Sequence, residues 1–451
     1  MNKTKSKTIS NYSLWLRIAG VILFLLLLLL FLIFRLSSSH YKEGFQSLNE
    51  LVEFGKTIDE NRLSEGSNIL VAEYTQYFQK KYDRTFSKIL LDKISFFLYR
   101  YKLKQRPYWS SGFYKTILKE VTTSREKAGY SGGKFIQKMQ AGDNQKFIIF
   151  SDLFGSFHSL TRDLLELKKL GFIDEKFHIL SPNYYILFVG SIHGSTPYSL
   201  EAESVVLRLL KENPNNIFYL RGPMNYFDLW ERLPLKDELI FKIPNDAPIQ
   251  QKIPLQELIT RYFETLPAAL YVMLAPTEKK SLEYVRFSVF RRYNNDNKNG
   301  KNLERLDELN FAHFLKEKQK NLVDSFQLKD QKQAADQSDS SKLVMKAIYS
   351  SVILFDDLEK GFKGLKQLNL DRGATSWIGF SAPVPVAQQV AQIFYDAFVV
   401  ITTAQKTEDW TITVYTQDIR TKKGFETSTQ KFFADSSKTA KNKKNVTNDT
   451  I

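Results

Sequence analysis

Three short apolar stretches of this sequence each lead into a loop that carries a polar side chain suited to metal chemistry. Asp152 follows the stretch 147–150, His193 follows 184–189, and Asn225 follows 216–220. Carboxylates, imidazoles and amides are donors that first-row divalent ions accept. These side chains therefore predict either a metal-dependent site or three loop residues that make local hydrogen bonds.

The chain holds few of the side chains on which metal and nucleophilic chemistry depend. Its 451 residues include no cysteine and only five histidines, so disulfides, thiolate metal sites and a cysteine nucleophile are excluded. No histidine lies between His193 and His313, and none follows His313. The sequence has neither a phosphate-cradling G-x-x-x-x-G-K-[ST] loop nor a G-x-S-x-G elbow. Its net charge of +15 lacks an aromatic-interleaved nucleic-acid module, so we expect no nucleic-acid partner.

The elements that must position the three loops alternate between strand and helix. Leucines on one side of 160–170 predict a helix that ends at Gly171, and Ser199 is the expected N-cap of a second helix. Strand, helix, strand, helix and strand in this order predict a partly parallel sheet whose strand ends gather the loops. Further strands are expected at 268–272, 284–290, 348–355, 377–380, 394–401 and 410–415.

The three loops resemble the motifs of the Ser/Thr phosphoprotein phosphatases of the calcineurin-like metallophosphatase superfamily. SDLFG at 151–155 resembles G-D-x-H-G, GSIHGSTPYSLE at 190–201 resembles G-D-x-V-D-R-G-x-x-S-L-E, and RGPMN at 221–225 resembles R-G-N-H-E. Three later segments resemble family segments in the same order: FETLPAALYV at 263–272, FDDLEKG at 355–361 and FSAP at 380–383. The resemblance implies an α/β fold over residues 146–420, a β-sandwich of mixed sheets flanked by helices.

The resemblance also implies a degenerate active site. Active members hold two metal ions that generate a hydroxide and clamp the phosphoryl group. Of the matched site positions only Asp152 keeps the family residue. The others are Phe154, Ser191, Gly194, Ser195, Pro223, Met224, Ser288 and Phe355. Because Phe, Pro and Met side chains do not coordinate a hard divalent cation, the resemblance implies a pseudophosphatase with no catalytic residue and no cofactor.

Loss of the metals leaves a space that the larger apolar replacements are expected to fill. We expect Phe154 and Phe355 to contact each other, or to contact Met224 or Pro223 jointly, with little exposure to solvent. Asp152 should then accept hydrogen bonds from backbone amides or pair with a basic side chain. Convergence of Asp152 with His193 and Asn225 would instead indicate a rebuilt metal site.

The N-terminal region predicts a membrane anchor. Residues 18–34 are seventeen uncharged residues, which span about 25 Å as a helix. A cleaved signal peptide is the rival interpretation, but the run is long and Arg35 follows it instead of small residues. Four basic residues precede the run and two follow closely, which predicts a cytoplasmic N-terminus and an extracytoplasmic soluble domain.

The expected organisation of the chain is therefore a single-pass membrane protein with five parts. They are a cytoplasmic basic N-terminus at 1–17, a transmembrane helix at 18–34, a helical neck region at 40–142, a metallophosphatase-like domain at 146–420 with a polar insertion at 294–342, and a basic disordered tail at 436–451. Retained scaffold without chemistry indicates binding to an unidentified protein partner, as a scaffold, decoy or complex subunit. The alternatives are an active metallophosphoesterase with a rearranged site around Asp152, His193 and Asn225, and a structural envelope protein.

The charge difference across the apolar run predicts the topology. A reporter fused after Ile451 should be active if it functions outside the cytoplasm and inactive if it functions only inside. The reason is that four basic residues precede the run and two follow it closely. Paired fusions to a cytoplasmic and an extracytoplasmic reporter measure this directly. Activity of the cytoplasmic reporter alone would reverse the assignment.

Overall fold

The computed structural model of the protein describes the greater part of two sheets and the helices packed on them. The described residues are 15, 17–29, 44–58, 108–130, 137–194, 196–221, 225, 234–243, 253–267, 269–273, 284–288, 344–350, 365–369, 375–379, 395–421 and 423–432. The predicted insertion at 294–342, the predicted tail at 436–451 and most of the N-terminus at 1–17 lie outside these residues.

The fold is mixed α/β and contains two six-stranded sheets. The first sheet has the order β12-β11-β10-β2-β3-β4, in which β2, β3 and β4 are parallel and β10, β11 and β12 are antiparallel. Its strands are β2 (Lys146–Phe150), β3 (Tyr184–Phe188), β4 (Ile217–Tyr219), β10 (Tyr395–Thr402), β11 (Thr411–Asp418) and β12 (Glu426–Lys431).

The second sheet has the order β1-β5-β6-β7-β9-β8. Its strands are β1 (Gln137–Gln140), β5 (Ala269–Met273), β6 (Tyr284–Ser288), β7 (Val344–Ser350), β8 (Leu365–Asn369) and β9 (Thr375–Gly379). The pairs β5–β6 and β8–β9 are antiparallel, and β1–β5, β6–β7 and β7–β9 are parallel.

Alternation along the central strands of the first sheet divides its side chains between two hydrophobic clusters. Phe147 and Ile149 of β2 share one cluster with Leu270 of β5 and Phe287 of β6, so this cluster joins the two sheets. Ile148 and Phe150 belong to the other cluster, which includes the buried side chains of the helices. Both faces of β2 are therefore buried, as expected for a short continuous apolar run in a parallel arrangement.

Helices cover the outer face of the first sheet. They are α1 (Leu48–Gly55), α2 (Ser111–Lys127), α3 (Phe157–Lys169), α4 (Ser199–Glu212), α5 (Pro234–Lys242) and α6 (Ile253–Glu264). Ser47, Ser110 and Ser156 each cap the following helix by accepting a backbone amide hydrogen bond. Because these side chains satisfy donors that the first turn leaves unpaired, the three helices start where their serines stand.

Two expectations about local structure are corrected by the structure. Residues 137–140, inside the region 40–142 that was predicted to be mostly helical, form β1 beside β5, and Met139 packs against the cluster between the sheets. Ser199 is not the N-cap of α4: the N-cap is Tyr198, and the amides of Ser199 and Leu200 donate to the Glu238 carboxylate at 2.9 and 3.2 Å. At both positions, a contact with a residue distant in sequence overrides the structure that the local sequence pattern predicts.

The segments before residue 146 share the core of the segments after it. Phe45 and Leu48 of the α1 segment and Phe113 and Ile117 of α2 belong to the same cluster as Ile148 of β2. The two helices of the predicted neck thus belong to the helical layer, where α1 packs against α3 and α2 packs against α4 and α6.

The N-terminal apolar run is only partly described. Residues 17–29 form a helix whose side chains are exposed. Within the described ranges of the chain, no helix is both long and apolar enough to cross a membrane. Residues 30–34 of the predicted transmembrane helix lie outside those ranges, so the anchor stays a prediction.

A buried carboxylate lies where α3 packs on β10. Asp163 of α3 is fully buried, and neither of its oxygens has a hydrogen-bond partner among the described residues. Arg162 bonds instead to Asp396, whose Oδ2 lies 2.5 Å from the guanidinium Nε. Burial, followed by the nearby Asp396 charge, raises the pKa of Asp163 well above its usual range, which the Arg162 charge opposes. Asp163 therefore retains its proton to higher pH in the folded protein than in the unfolded chain.

The substitution Asp163→Asn should make the protein more stable at alkaline pH and leave acidic stability little changed. A carboxyl group whose folded pKa is raised loses stability as pH rises from its unfolded pKa through its folded pKa, and an amide has no such loss. Urea unfolding midpoints from about pH 4 to about pH 9 measure the difference.

The matched control is Asp174→Asn. Asp174 accepts hydrogen bonds from His178, and despite the opposing effect of partial burial these bonds lower its pKa. Its stabilising contribution is present above the unfolded pKa, so its replacement should reduce stability at neutral pH. Parallel pH profiles of the wild type and Asp163→Asn would contradict the assignment.

Candidate functional site

The loops that follow β2 and β3 are bonded directly to each other through their main chains. The amides of Leu153 and Phe154 donate to the Ser191 carbonyl at 2.9 and 3.1 Å, and the Gly155 amide donates to the Ile192 carbonyl at 2.5 Å. The Thr196 amide returns a bond of 3.0 Å to the Phe154 carbonyl. These contacts define the loop junction, which comprises residues 151–156 and 189–198 without Ser195. These hydrogen bonds join backbone amides to backbone carbonyls, so they do not depend on which side chains the two loops carry.

Asp152 is held by the main chain of the loop junction. It is 2% exposed, and its Oδ1 accepts a 2.6 Å hydrogen bond from the Ser191 amide. The contact with a backbone amide predicted for Asp152 is therefore confirmed. A Cβ at Gly190 would lie 2.4 Å from the Asp152 nitrogen, so only glycine permits this approach.

Phe154 occupies a backbone conformation that a phenylalanine rarely adopts. Its φ is 49°, in the left-handed region, and its side chain is half-buried. Gly194 lies against it: a Cβ at Gly194 would stand 2.5 Å from the Phe154 Cα. A non-glycine residue in this region typically costs about 1–3 kcal/mol, which neighbouring contacts must offset. The bonds to Ser191 and Thr196 on both sides of Phe154 supply such contacts.

His193 contacts a buried carboxylate of α4. Its Nε2 lies 3.2 Å from Glu203 Oε1, and the two side chains are 2% and 0% exposed. The two atoms are within ion-pair distance, but their alignment does not meet hydrogen-bond geometry. The other carboxylate oxygen, Glu203 Oε2, accepts a 2.7 Å hydrogen bond from the Tyr114 hydroxyl of α2. The Phe263 ring of α6 packs edge-on against the imidazole.

Asn225 donates a 3.0 Å hydrogen bond to the Tyr219 hydroxyl at the end of β4. Burial, and secondarily the Glu203 charge, raises the pKa of Tyr219, and the Asp152 charge acts in the same direction. Burial and Glu203 likewise raise the pKa of Tyr114 and Tyr262 well above the usual tyrosine range. All three hydroxyls therefore stay protonated near Glu203. The hydroxyls of Tyr114 and Tyr219 are hydrogen-bonded, whereas the buried Tyr262 hydroxyl has no hydrogen-bond partner among the described residues.

The residues predicted from the sequence thus lie in one region but have separate partners. Asp152 bonds to the Ser191 amide, His193 contacts Glu203, and Asn225 bonds to Tyr219. Across the described ranges, no group of three or more His, Asp or Glu side chains could hold a metal ion.

The remaining predicted positions are described in part. Ser191 lies at the loop junction and supplies both an amide and a carbonyl to it, while Gly194 faces Phe154. Ser288 ends β6 and pairs with Ala269 of β5. Ser195, Pro223, Met224 and Phe355 lie outside the described residues, so the predicted contact between Phe154 and Phe355 stays a prediction.

The sequence analysis missed a buried ion cluster that bonds to the loop junction near its C-terminal end, at Pro197. Lys242 of α5 donates to Glu201 and to the Pro197 carbonyl, each at 2.5 Å, and to Glu238 at 2.9 Å. Glu238 also receives the first two amides of α4. The spacing Glu238-x-x-x-Lys242 is the sequence signal of an ion pair on one helix, but nothing local indicates that Glu201 joins it.

No family model matches the chain, and no curated protein matches it. Among solved structures, it is similar to a protein serine/threonine phosphatase from Saccharomyces cerevisiae with similarity to human phosphatase PP5. The identity is 14%, the match covers 65% of this chain and 83% of that one, and the TM-score is 0.39.

Two further solved structures give weaker superpositions. A cold-active protein-tyrosine phosphatase of a Shewanella species has 11% identity and a TM-score of 0.34, covering 62% of this chain and 78% of that one. Vps29 from Chaetomium thermophilum has 11% identity and a TM-score of 0.27, covering 64% of this chain and 98% of that one.

The substitution Gly194→Ala should destabilise the protein by about 1–3 kcal/mol, because the added methyl group overlaps the Phe154 backbone and cannot be relieved by a side-chain rotation. The urea unfolding midpoint measures the loss. The control is Gly424→Ala, where a methyl group meets nothing within 4 Å. Equal midpoints for the two variants would mean that the loops are not packed as closely as the junction requires.

Proposed function

We propose that this protein is a membrane-anchored, catalytically degenerate Ser/Thr-phosphatase-like protein that acts by binding a protein partner. The observation that carries the proposal is the loop junction. In the family that the motifs resemble, the same loops supply ligands to two metals, and here their main chains bond to each other while Asp152 accepts an amide of the facing loop. The engagement of Asp152 by the facing loop supports a scaffold, because this carboxylate already has a protein partner.

Two further features of the described residues support this proposal. The polar side chains near the junction are used in internal contacts: His193 with Glu203, and Asn225 with Tyr219. Phe154 stands where the resemblance expects a metal-ligating histidine, and its half-buried ring offers apolar surface to a partner. Aromatic side chains, phenylalanine among them, are enriched in the cores of protein interfaces.

The alternative is an active metallophosphoesterase with a rearranged site around Asp152, His193 and Asn225. Its support is the position of all three near the ends of β2, β3 and β4 and close to the Tyr219–Glu203 network. It would require His193 and Asn225 to leave their present partners. A divalent metal would be its cofactor.

Metal content and hydrolysis separate the two proposals. The purified full-length protein should hold less than one equivalent of manganese, iron or zinc, and should not hydrolyse a generic phosphomonoester when these metals are added. Elemental analysis and product release measure the two properties. Stoichiometric metal together with turnover that Asp152→Asn abolishes would establish the alternative.

Site-specific crosslinking tests the binding role. Since the chain has no cysteine, Phe154→Cys gives one attachment site for a thiol-reactive photocrosslinker. Irradiation of membranes should produce a discrete adduct with another protein from position 154. Thr429→Cys on the exposed strand β12 is the matched control and should not give that adduct. Identical adduct patterns from both positions would contradict a partner site at the loop junction.

A further inference from the structure

We propose that the segment 170–182 rests on the surface of the bilayer and inserts its exposed leucines among the lipid headgroups. This segment, the 170–182 loop, connects α3 to β3 and is closed by an antiparallel bridge between Ile173 and Ile179. The inference rests on the membrane anchor of the proposed function. It adds a lipid-contacting surface on the folded body of the protein.

The 170–182 loop carries an unusual share of exposed apolar side chains. After residue 43, the described chain exposes three large hydrophobic side chains: Leu170 at 36%, Leu180 at 57% and Ile240 at 38%. Two of the three lie in this loop, while the third lies on α5. Isolated exposed leucines need no explanation, but two in one short loop favour an interfacial surface.

The loop is held rigidly, so its leucines are presented in fixed positions. The Ile179 amide donates to Asn213 Oδ1 of α4 at 2.8 Å, and Asn213 Nδ2 donates to the Phe177 carbonyl at 2.7 Å. Phe177 is itself buried, with a left-handed φ of 70°. Leu180 is therefore exposed on a loop whose inner side is fixed by hydrogen bonds to Asn213.

The chain enters the folded body directly beside this loop. The Leu48 amide donates to the Glu175 carbonyl at 3.0 Å, and the Asn49 amide donates to Glu175 Oε1 at 2.8 Å. Phe45, three residues earlier, is fully buried against the Phe113, Phe54 and Phe157 rings. The point where the N-terminal tether reaches the body is thus fixed against the 170–182 loop.

The length of the tether keeps this face close to the membrane. If the predicted span ends at residue 34, residues 35–43 link it to the body, and nine extended residues reach at most about 30 Å. The tethered face is therefore the face nearest the bilayer, and the two exposed leucines lie on it. The loop also carries the exposed Lys176 and the half-buried Asp174 and Glu175, so its leucines and not its charge are the basis of the proposed contact.

Single-cysteine labelling tests this contact in the full-length protein. Leu180→Cys carries an environment-sensitive fluorophore, and Ile240→Cys, which replaces another exposed apolar residue but on α5, is the control. After reconstitution into vesicles of phosphatidylcholine with phosphatidylglycerol, we expect a blue shift and several-fold slower quenching by aqueous iodide at position 180 than at position 240. Vesicles of phosphatidylcholine alone should preserve the shift, because the contact depends on the leucines.

Three outcomes would overturn the inference, and they are distinguishable. A protein that resists alkaline extraction but shows equal quenching at both positions is anchored without this contact. A protein released by alkaline extraction lacks the anchor itself, so the anchoring part of the proposed function fails with it. Protection at position 180 in native membranes but not in vesicles would assign the loop to a protein partner instead of lipid.

Discussion

The direct bonding of the loops after β2 and β3 is the constraint on which the rest of the site depends. Gly190 and Gly194 allow the second loop to approach within the space that a Cβ would fill, and the Ser191 amide and carbonyl then reach both Asp152 and the amides of the first loop. Once the loops are this close, the main chain supplies the buried Asp152 carboxylate with a hydrogen-bond donor.

The other buried carboxylates near the loop junction lie in the helical layer. Glu203 is fully buried between His193 and Tyr114, and Glu201 and Glu238 are buried with a single lysine. Burial raises the pKa of Glu201 although Lys242 opposes the shift. Removal of one member of such a buried cluster leaves an uncompensated charge, which typically costs about 3–5 kcal/mol. Helix α5 is consequently tied to the start of α4 by charge as well as by apolar packing.

The sequence predicts the centre of the fold better than its edges, for a physical reason. β2, β3 and β4 are apolar runs bounded by turns, so these strands could be predicted. The contact of Asp152 with a backbone amide could be predicted as well, because a buried carboxylate needs hydrogen-bond donors or a basic partner. β1 reads QKMQ and β12 reads ETSTQK, and neither polar segment shows an apolar period. α5 has apolar residues on all sides, and its Glu238 caps a helix almost forty residues earlier, which no local pattern indicates. Contacts made by separate elements account for what the sequence missed.

The departures from the resembled motifs at this site are compatible with an ordered fold, because the main-chain bonds of the loop junction do not depend on the side chains at those positions. Phe154 keeps a left-handed φ although its side chain has no ligand role, since its amide and carbonyl are fixed by Ser191 and Thr196. The same bonds would form with histidine, asparagine or phenylalanine at position 154. The half-buried ring at position 154 can therefore be replaced without altering the junction beneath it, whereas Gly194 cannot change without moving the Phe154 backbone. The main-chain scaffold of this site is thus separable from the side chains that it carries.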